Sequence, residues 1–221
     1  MIDSQLFNSI YNCDPWHDSF QKPLQEYKFL EPKKSWENFL LLSDHVNFRR
    51  LFPAFFKTFI GLIKKSYNPD LALHNFERFT QTINDKNYLY TILSTSPETL
   101  KSLIVLFSGS QVLTDSLISD PSFFEWINNF QMINNSRSKD EFMRAYYEFS
   151  GEKYLDNNTP QMLRKFKKRE YIRIGLRDLL GKTDFGETGR DLSFLADLSL
   201  QVAYEYVDQK MREKYGVPYY K

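Results

Sequence analysis

Apolar positions recur along most of this chain at intervals of three and four. Ala72, Phe76, Phe79 and Ile83 follow the spacing i, i+4, i+7, i+11, and Leu100, Leu103, Ile104 and Phe107 form a second such face. From about Thr188 the pattern predicts one long helix, with Leu192, Leu195, Ala196, Val202, Ala203 and Tyr206 on one side. Phe194, Leu198 and Tyr204 fall elsewhere on that helix, which predicts contacts on more than one side. No stretch alternates apolar and polar residues in the manner of a half-buried strand. The predicted fold is therefore all-α, a multi-helix bundle with a long C-terminal helix.

The predicted helix starts carry their own chemistry. Asn68, Ser96, Asp120 and Thr159 each stand directly before a proline. The first residue of such a pair accepts hydrogen bonds from free backbone N–H groups, and proline at the first helical position has no N–H to leave unpaired. Ser138 to Glu141 reads as a capping box, with the acid three residues after the cap. Gly109 is placed at the end of one helix and Ser110 at the start of the next. Before this region Pro15, Pro23 and Pro32 interrupt any period, so the predicted division is an irregular segment, 1–34, and a helical domain, 35–221. Prolines open helices at Pro97 and Pro121, but the segments that follow do not resemble each other, and no repeat is assigned.

Composition narrows the classes of function. The 221 residues are 42% hydrophobic with a formal net charge of +1, which excludes a disordered chain and removes any global electrostatic case for nucleic acid or membrane. One cysteine, Cys13, excludes an internal disulfide framework and a multi-cysteine zinc site. The N-terminal stretch lacks the basic and apolar regions of a signal peptide, and runs such as Ser102 to Phe107 are too short to span a bilayer. The expected location is the cytoplasm.

Candidate chemistry is sparse. His17, His45 and His74 lie far apart without metal-ligand spacing, and the local cluster Cys13, Asp14, His17 and Asp18 is attributed to chance in an irregular segment. There is no nucleophile elbow, Walker loop or dinucleotide fingerprint. Gly109 to Asp115 has the Gly-Ser opening of a nucleotidyltransferase site, but that chemistry needs two carboxylates spaced D-x-D on a strand. No Asp of this chain is followed by another two positions later. No catalytic residue and no metal site is predicted.

The stretch Leu163 to Leu180 breaks the pattern. Wound at 100° per residue, Met162, Phe166, Ile172, Leu176, Leu179 and Leu180 gather on one face. Arg169, Arg173 and Arg177 fall on that same face, while Arg164, Lys167 and Asp178 point away. An unpaired charge in a core costs several kcal/mol, roughly, so each arginine needs a partner or a solvated cleft. One reading is a set of internal ion pairs with Glu170, Asp191 or Asp197. The other is a face toward a cleft or a neighbouring domain, where guanidinium groups receive phosphate or carboxylate oxygens. Interleaved Glu170 and Asp178 argue against a nucleic-acid surface.

These residues also resemble a known family. Leu163 to Gly181 is similar to the R-x-F-[RK]-[RK]-R-E-x-x-R-I-x-x-R-D-L-x-G helix of glutamine synthetase adenylyltransferase/adenylyl-removing enzymes. Pro69 to Thr82, Leu103 to Ile127 and Arg190 to Val207 resemble further segments of that family, in the family's order. The resemblance implies a parent enzyme that uses ATP and Mg2+ to move AMP onto a tyrosine of glutamine synthetase and removes it by phosphorolysis. It implies glutamine synthetase and a PII-type signalling protein as partners, and a nucleotidyltransferase module after the helical segment. The G-K-x-G-x-x-E-L and S-D-x-D motifs of that module are absent from this chain, so the expectation is a helical segment without activity of its own, and no cofactor within it. The alternative is a stand-alone helical protein-interaction module. Arg169, Glu170, Arg173 and Arg177 match the family motif and are the candidates for docking the module or facing its nucleotide. An aromatic, apolar surface is expected near Tyr215 to Tyr220.

Overall fold

In a computed structural model the described residues, 4–128, 133–151 and 155–217, form twelve α-helices, one 3-10 turn and no strand. They fall into two units, Met1–Asn128 and Asn129–Lys221. The first holds α1 (Ser4–Tyr11), a 3-10 turn (Asp18–Phe20), α2 (Gln21–Glu26), α3 (Pro32–Ser43), α4 (Val46–Lys65) and α5 (Pro69–Thr82). It continues with α6 (Lys86–Thr95), α7 (Pro97–Gly109), α8 (Gln111–Ser119) and α9 (Phe123–Ile127). The second holds α10 (Lys139–Ser150), α11 (Thr159–Leu179) and α12 (Phe185–Tyr215).

The all-α reading holds, and so do most of the helix starts. Asn68 accepts from the Leu71 N–H at 3.0 Å, Ser96 from Thr99 at 3.3 Å and Ser110 from Leu113 at 3.4 Å. The Ser138/Glu141 capping box is complete in both directions. Two starts differ. Asp120 does not cap a helix: its side chain accepts from the Ser122 hydroxyl, and α9 begins only at Phe123. Thr159 is already helical, and its Oγ1 accepts backwards from the Asp156 N–H at 2.8 Å.

Residues 1–34, expected to be irregular, contain α1, the 3-10 turn, α2 and the start of α3. Pro23 sits in the first turn of α2 and Pro32 opens α3. A proline in the first turn sacrifices no intrahelical bond, so these prolines begin helices instead of breaking them. His17 accepts the Ser19 N–H, so a residue considered as a metal ligand caps a turn instead.

The core of the first unit is aromatic. α4 turns Phe48, Phe52, Phe55 and Phe59 inward, and ring centroids of Phe48 and Phe52 lie 4.3 Å apart. The stack continues through Tyr90 of α6 and Phe76 of α5, whose ring is 4.8 Å from Phe59. Burial pushes the Tyr90 phenol up to about 12. Trp36 is fully buried and stacks on Phe20 at 4.3 Å, with Trp16 packed edge-on against both.

The long helix departs from its sequence reading in the face it buries. Asp191, Leu195, Leu198 and Val202 are buried, whereas Leu192, Ala196 and Ala203 are exposed. The predicted side included Leu195 and Val202, which are buried; the buried Asp191, not an apolar position, shifts the core face from Leu192 and Ala196 toward Leu198. Leu195, Leu198 and Val202 pack with Phe142 and Tyr146 of α10 and Phe166 and Ile174 of α11.

Candidate functional site

The arginines of α11 are brought together with their acids inside the second unit. Phe166, Glu170, Arg173 and Arg177 occupy i, i+4, i+7 and i+11 of α11 and are all buried, so charge stands where a core stripe would be apolar. Each guanidinium is matched by acceptors. Arg173 donates from Nε to Glu170 Oε2 and from Nη2 to Asp191 Oδ2, both at 2.7 Å, and from Nη1 to the Asn135 carbonyl at 3.3 Å. Arg177 donates to the Ile133 carbonyl at 3.0 Å and to the Glu187 carboxylate. Glu170 also receives Arg137 at 2.6 Å and Arg169 at 3.5 Å.

Local sequence explains how the acids reach the arginines. α11 ends in a Schellman turn: Lys182 N–H bonds the Arg177 carbonyl and Gly181 N–H the Asp178 carbonyl, each at 2.9 Å. Gly181 takes φ of +66°, a conformation that an L side chain disfavours. Asp184 then caps α12 by accepting the Glu187 N–H at 2.7 Å. Glu187 thus sits in the first helical turn, where the helix dipole favours a carboxylate, and Asp191 follows one turn later. The turn folds both acids back onto α11.

Aromatic rings complete the enclosure. The Arg169 guanidinium lies 4.5 Å from the Phe149 ring centre and 5.0 Å from that of Phe166. Arg173 lies 5.3 Å from the Phe142 ring. These are cation–π distances. Burial draws the Arg169 pKa downward, and the neighbouring Glu170 opposes that shift. Among the described residues, four guanidinium groups and three carboxylates meet in this cluster.

Of the two sequence readings, the internal ion pairs are present. Asp191 is a partner as expected; Asp197 is not, and pairs with Lys139 at 2.9 Å. Glu170 and Arg173 have side-chain exposures of 0%, so neither reaches a nucleotide or a neighbour directly in this conformation. Arg169 is the most exposed of the four candidates, at 13%. Sequence reasoning missed Arg137 and Glu187. The signal for Glu187 was available: Asp184 and Glu187 have cap spacing, and Glu187 and Asp191 share a helical face.

A separate cleft of about 620 Å³ runs between α10 and α12, with the Lys139–Asp197 pair at its edge and Met143, Phe194 and Leu198 along its wall. Among the described residues no group of three or more His, Cys, Asp or Glu side chains could hold a metal ion, and no helix is long and apolar enough to cross a membrane.

Residues 100–221 match the model of the glutamate-ammonia ligase adenylyltransferase family, and the chain belongs to that family. It is similar to the bifunctional glutamine synthetase adenylyltransferase/adenylyl-removing enzyme of Brucella suis, 26% identical over 171 residues, covering 75% of this chain and 16% of that protein. The enzyme of the same name from Shewanella loihica is 24% identical over 123 residues, 56% of this chain and 13% of the relative. That of Pseudomonas aeruginosa is 41% identical over 63 residues, 28% of this chain and 6% of the relative. The chain thus spans less than a fifth of the length of these curated relatives.

Proposed function

We propose that this chain is the helical, non-catalytic segment of a glutamine synthetase adenylyltransferase/adenylyl-removing-like protein, and that it docks or regulates a nucleotidyltransferase module. The observation that carries this reading is the closed charge cluster of α11. It lies in the family-matched span, yet its arginines and Glu170 serve one another and the carbonyls of Ile133 and Asn135. Such a cluster fixes the shape of a supporting domain; it does not present groups to a reacting phosphate. Arg169, Glu170, Arg173 and Arg177 are therefore positioning residues, acting on a docked module through the geometry of α11 and α12. ATP and Mg2+ belong in this reading to the module, as do glutamine synthetase as the protein modified and a PII-type protein as regulator. The cytoplasm is the compartment where such partners meet.

A stand-alone interaction module is the second reading, favoured by the exposed apolar residues of α12, among them Leu200 and Tyr204. Calorimetric titration separates the two. The chain is expected to bind no ATP–Mg2+ by itself and to bind the isolated nucleotidyltransferase module of the Brucella suis relative, changing its AMP transfer to glutamine synthetase. AMP transfer by the chain alone overturns the non-catalytic reading. Absence of any binding to the module overturns docking in favour of the stand-alone reading.

A further inference from the structure

α12 has two faces. Asp191, Leu195, Leu198 and Val202 pack inward. On the opposite side Leu200, Tyr204, Val207, Met211 and Tyr215 recur at intervals of four, three, four and four, and each is more than half exposed. At 100° per residue the two sets lie about 170° apart on the helix. A stripe of this spacing is the seam by which one helix packs on another. The same outward face continues toward the N-terminus through Gly186, Gly189, Ser193 and Ala196, all small and all exposed. One half of the seam is bulky and the other half is shallow.

We infer that two copies of this chain pair their α12 helices antiparallel, about a two-fold axis at Leu200. This one register sets bulk against space along the whole helix. Leu200 meets its own copy; Tyr204 lies over Ala196, Val207 over Ser193 and Met211 over Gly189 of the other copy. Tyr215, 66% exposed, comes level with Phe185 at the end of the seam but lies on the Asp208 flank. A Cβ at Gly189 would meet nothing within 4 Å in the single chain, so this position is open until a second molecule covers it.

Charge agrees with the register. Arg190 and Asp208 are eighteen residues apart, about five turns, and so share one flank of the seam. In an antiparallel pair related by a two-fold axis, residues on one flank meet that same flank of the other copy. Arg190 then comes level with Asp208 of the second copy to within about two residues, twice over. Asp208 already holds Arg212 at 2.7 Å within its own chain, so it would sit between two guanidinium groups. Lys210 and Lys214 occupy the other flank, within about two residues of the levels of Leu192 and Phe185 and far from their own copies.

The area is adequate. A large aromatic side chain buries about 150–250 Å². Tyr204 and Tyr215 of two copies, with Leu200, Val207 and Met211 between them, supply on the order of 1,000 Å², the threshold of a specific interface. An interface of that size predicts a reversible dimer, and capture of the same seam by a different helix would compete with it.

The test is sedimentation equilibrium on the full 221-residue chain, with circular dichroism to confirm folding. A concentration-dependent dimer is expected, and a monomer at every concentration up to near-millimolar overturns the proposal. In a Cys13→Ser background, Leu200→Cys should form an intermolecular disulfide with copper phenanthroline, because the axis brings the two positions together. Met211→Cys, remote from its own copy in this register, should not. Efficient cross-linking of Met211→Cys overturns the register, and failure of Leu200→Cys overturns the pairing. Gly189→Phe has room in the folded monomer and should weaken the dimer at least tenfold; a helical, undiminished dimer from this variant also overturns the register. Arg190→Asp should weaken it several-fold, with Asp208→Arg in the same chain restoring it.

Discussion

In the first unit α4 buries Phe48, Phe52, Phe55 and Phe59; in the second α11 buries Phe166, Glu170, Arg173 and Arg177. The spacing is the same, i, i+4, i+7, i+11, and the chemistry is opposite. Phenylalanines at those positions tolerate small displacements, because dispersion and hydrophobic burial are non-directional. Guanidinium and carboxylate groups do not, because each removed partner leaves a charge stranded in a low dielectric. Periodicity decides which residues a helix buries. The residue type decides how strictly the surroundings are then specified.

Breaking each core should show this difference. Arg173→Met leaves Glu170 and Asp191 facing each other's neighbourhood without their shared cation, and should cost about 3–5 kcal/mol. Circular dichroism during urea unfolding should show loss of the second unit with the first retained. Arg173→Lys should recover little of that loss, since an ammonium cannot span Glu170, Asp191 and the Asn135 carbonyl as the planar fork does. If the lysine variant matches the wild-type chain, the fork geometry is irrelevant.

Phe52→Ala should remove a similar amount, about 3–5 kcal/mol, from the first unit alone. Here the conservative exchange should behave differently: Phe52→Leu should regain most of the loss, since only volume and apolar area are at stake. Equal sensitivity of Phe52 and Arg173 to conservative replacement would erase the contrast between the two cores.

Acidification should give the smallest effect, and it falls on one side only. His17, His45 and His74 all belong to the first unit. Burial, then Lys86, lowers the His45 pKa, with Asp44 opposing. Burial, then Arg78, lowers that of His74. A histidine whose folded pKa lies below the unfolded 6.5 binds protons less readily when folded. Its contribution is full above pH 6.5 and declines as pH falls through the folded value. Chemical denaturation at pH 7.5 and at about 5.5 should therefore weaken the first unit modestly and leave the second unchanged by histidine.

The legible parts of the fold were those encoded locally. Caps at Asn68, Ser96, Ser110 and Ser138 depend on a side chain reaching a backbone N–H three residues away, and each was readable. Helix existence in 1–34 was hidden because Pro23 and Pro32 look like breakers until their place in a first turn is known. The arginine stripe was visible as an anomaly, and its acid partners Glu170 and Asp191 were named. Arg137 and the carbonyls of Ile133 and Asn135 were not, since no local pattern announces a backbone acceptor roughly forty residues from its donor. The buried face of α12 was misplaced for the same reason: Asp191 is core only because Arg173 is.

One asymmetry in the aromatic inventory has a practical result. Trp16, Trp36 and Trp126 are the chain's three tryptophans, and all belong to the first unit, whereas the second carries only phenylalanine and tyrosine. Emission excited at the red edge of the absorption band is therefore a private optical signal of the aromatic core. The charged core is silent in that channel. Any melt that fluorescence misses and total ellipticity detects belongs to the arginine cluster, with no label attached.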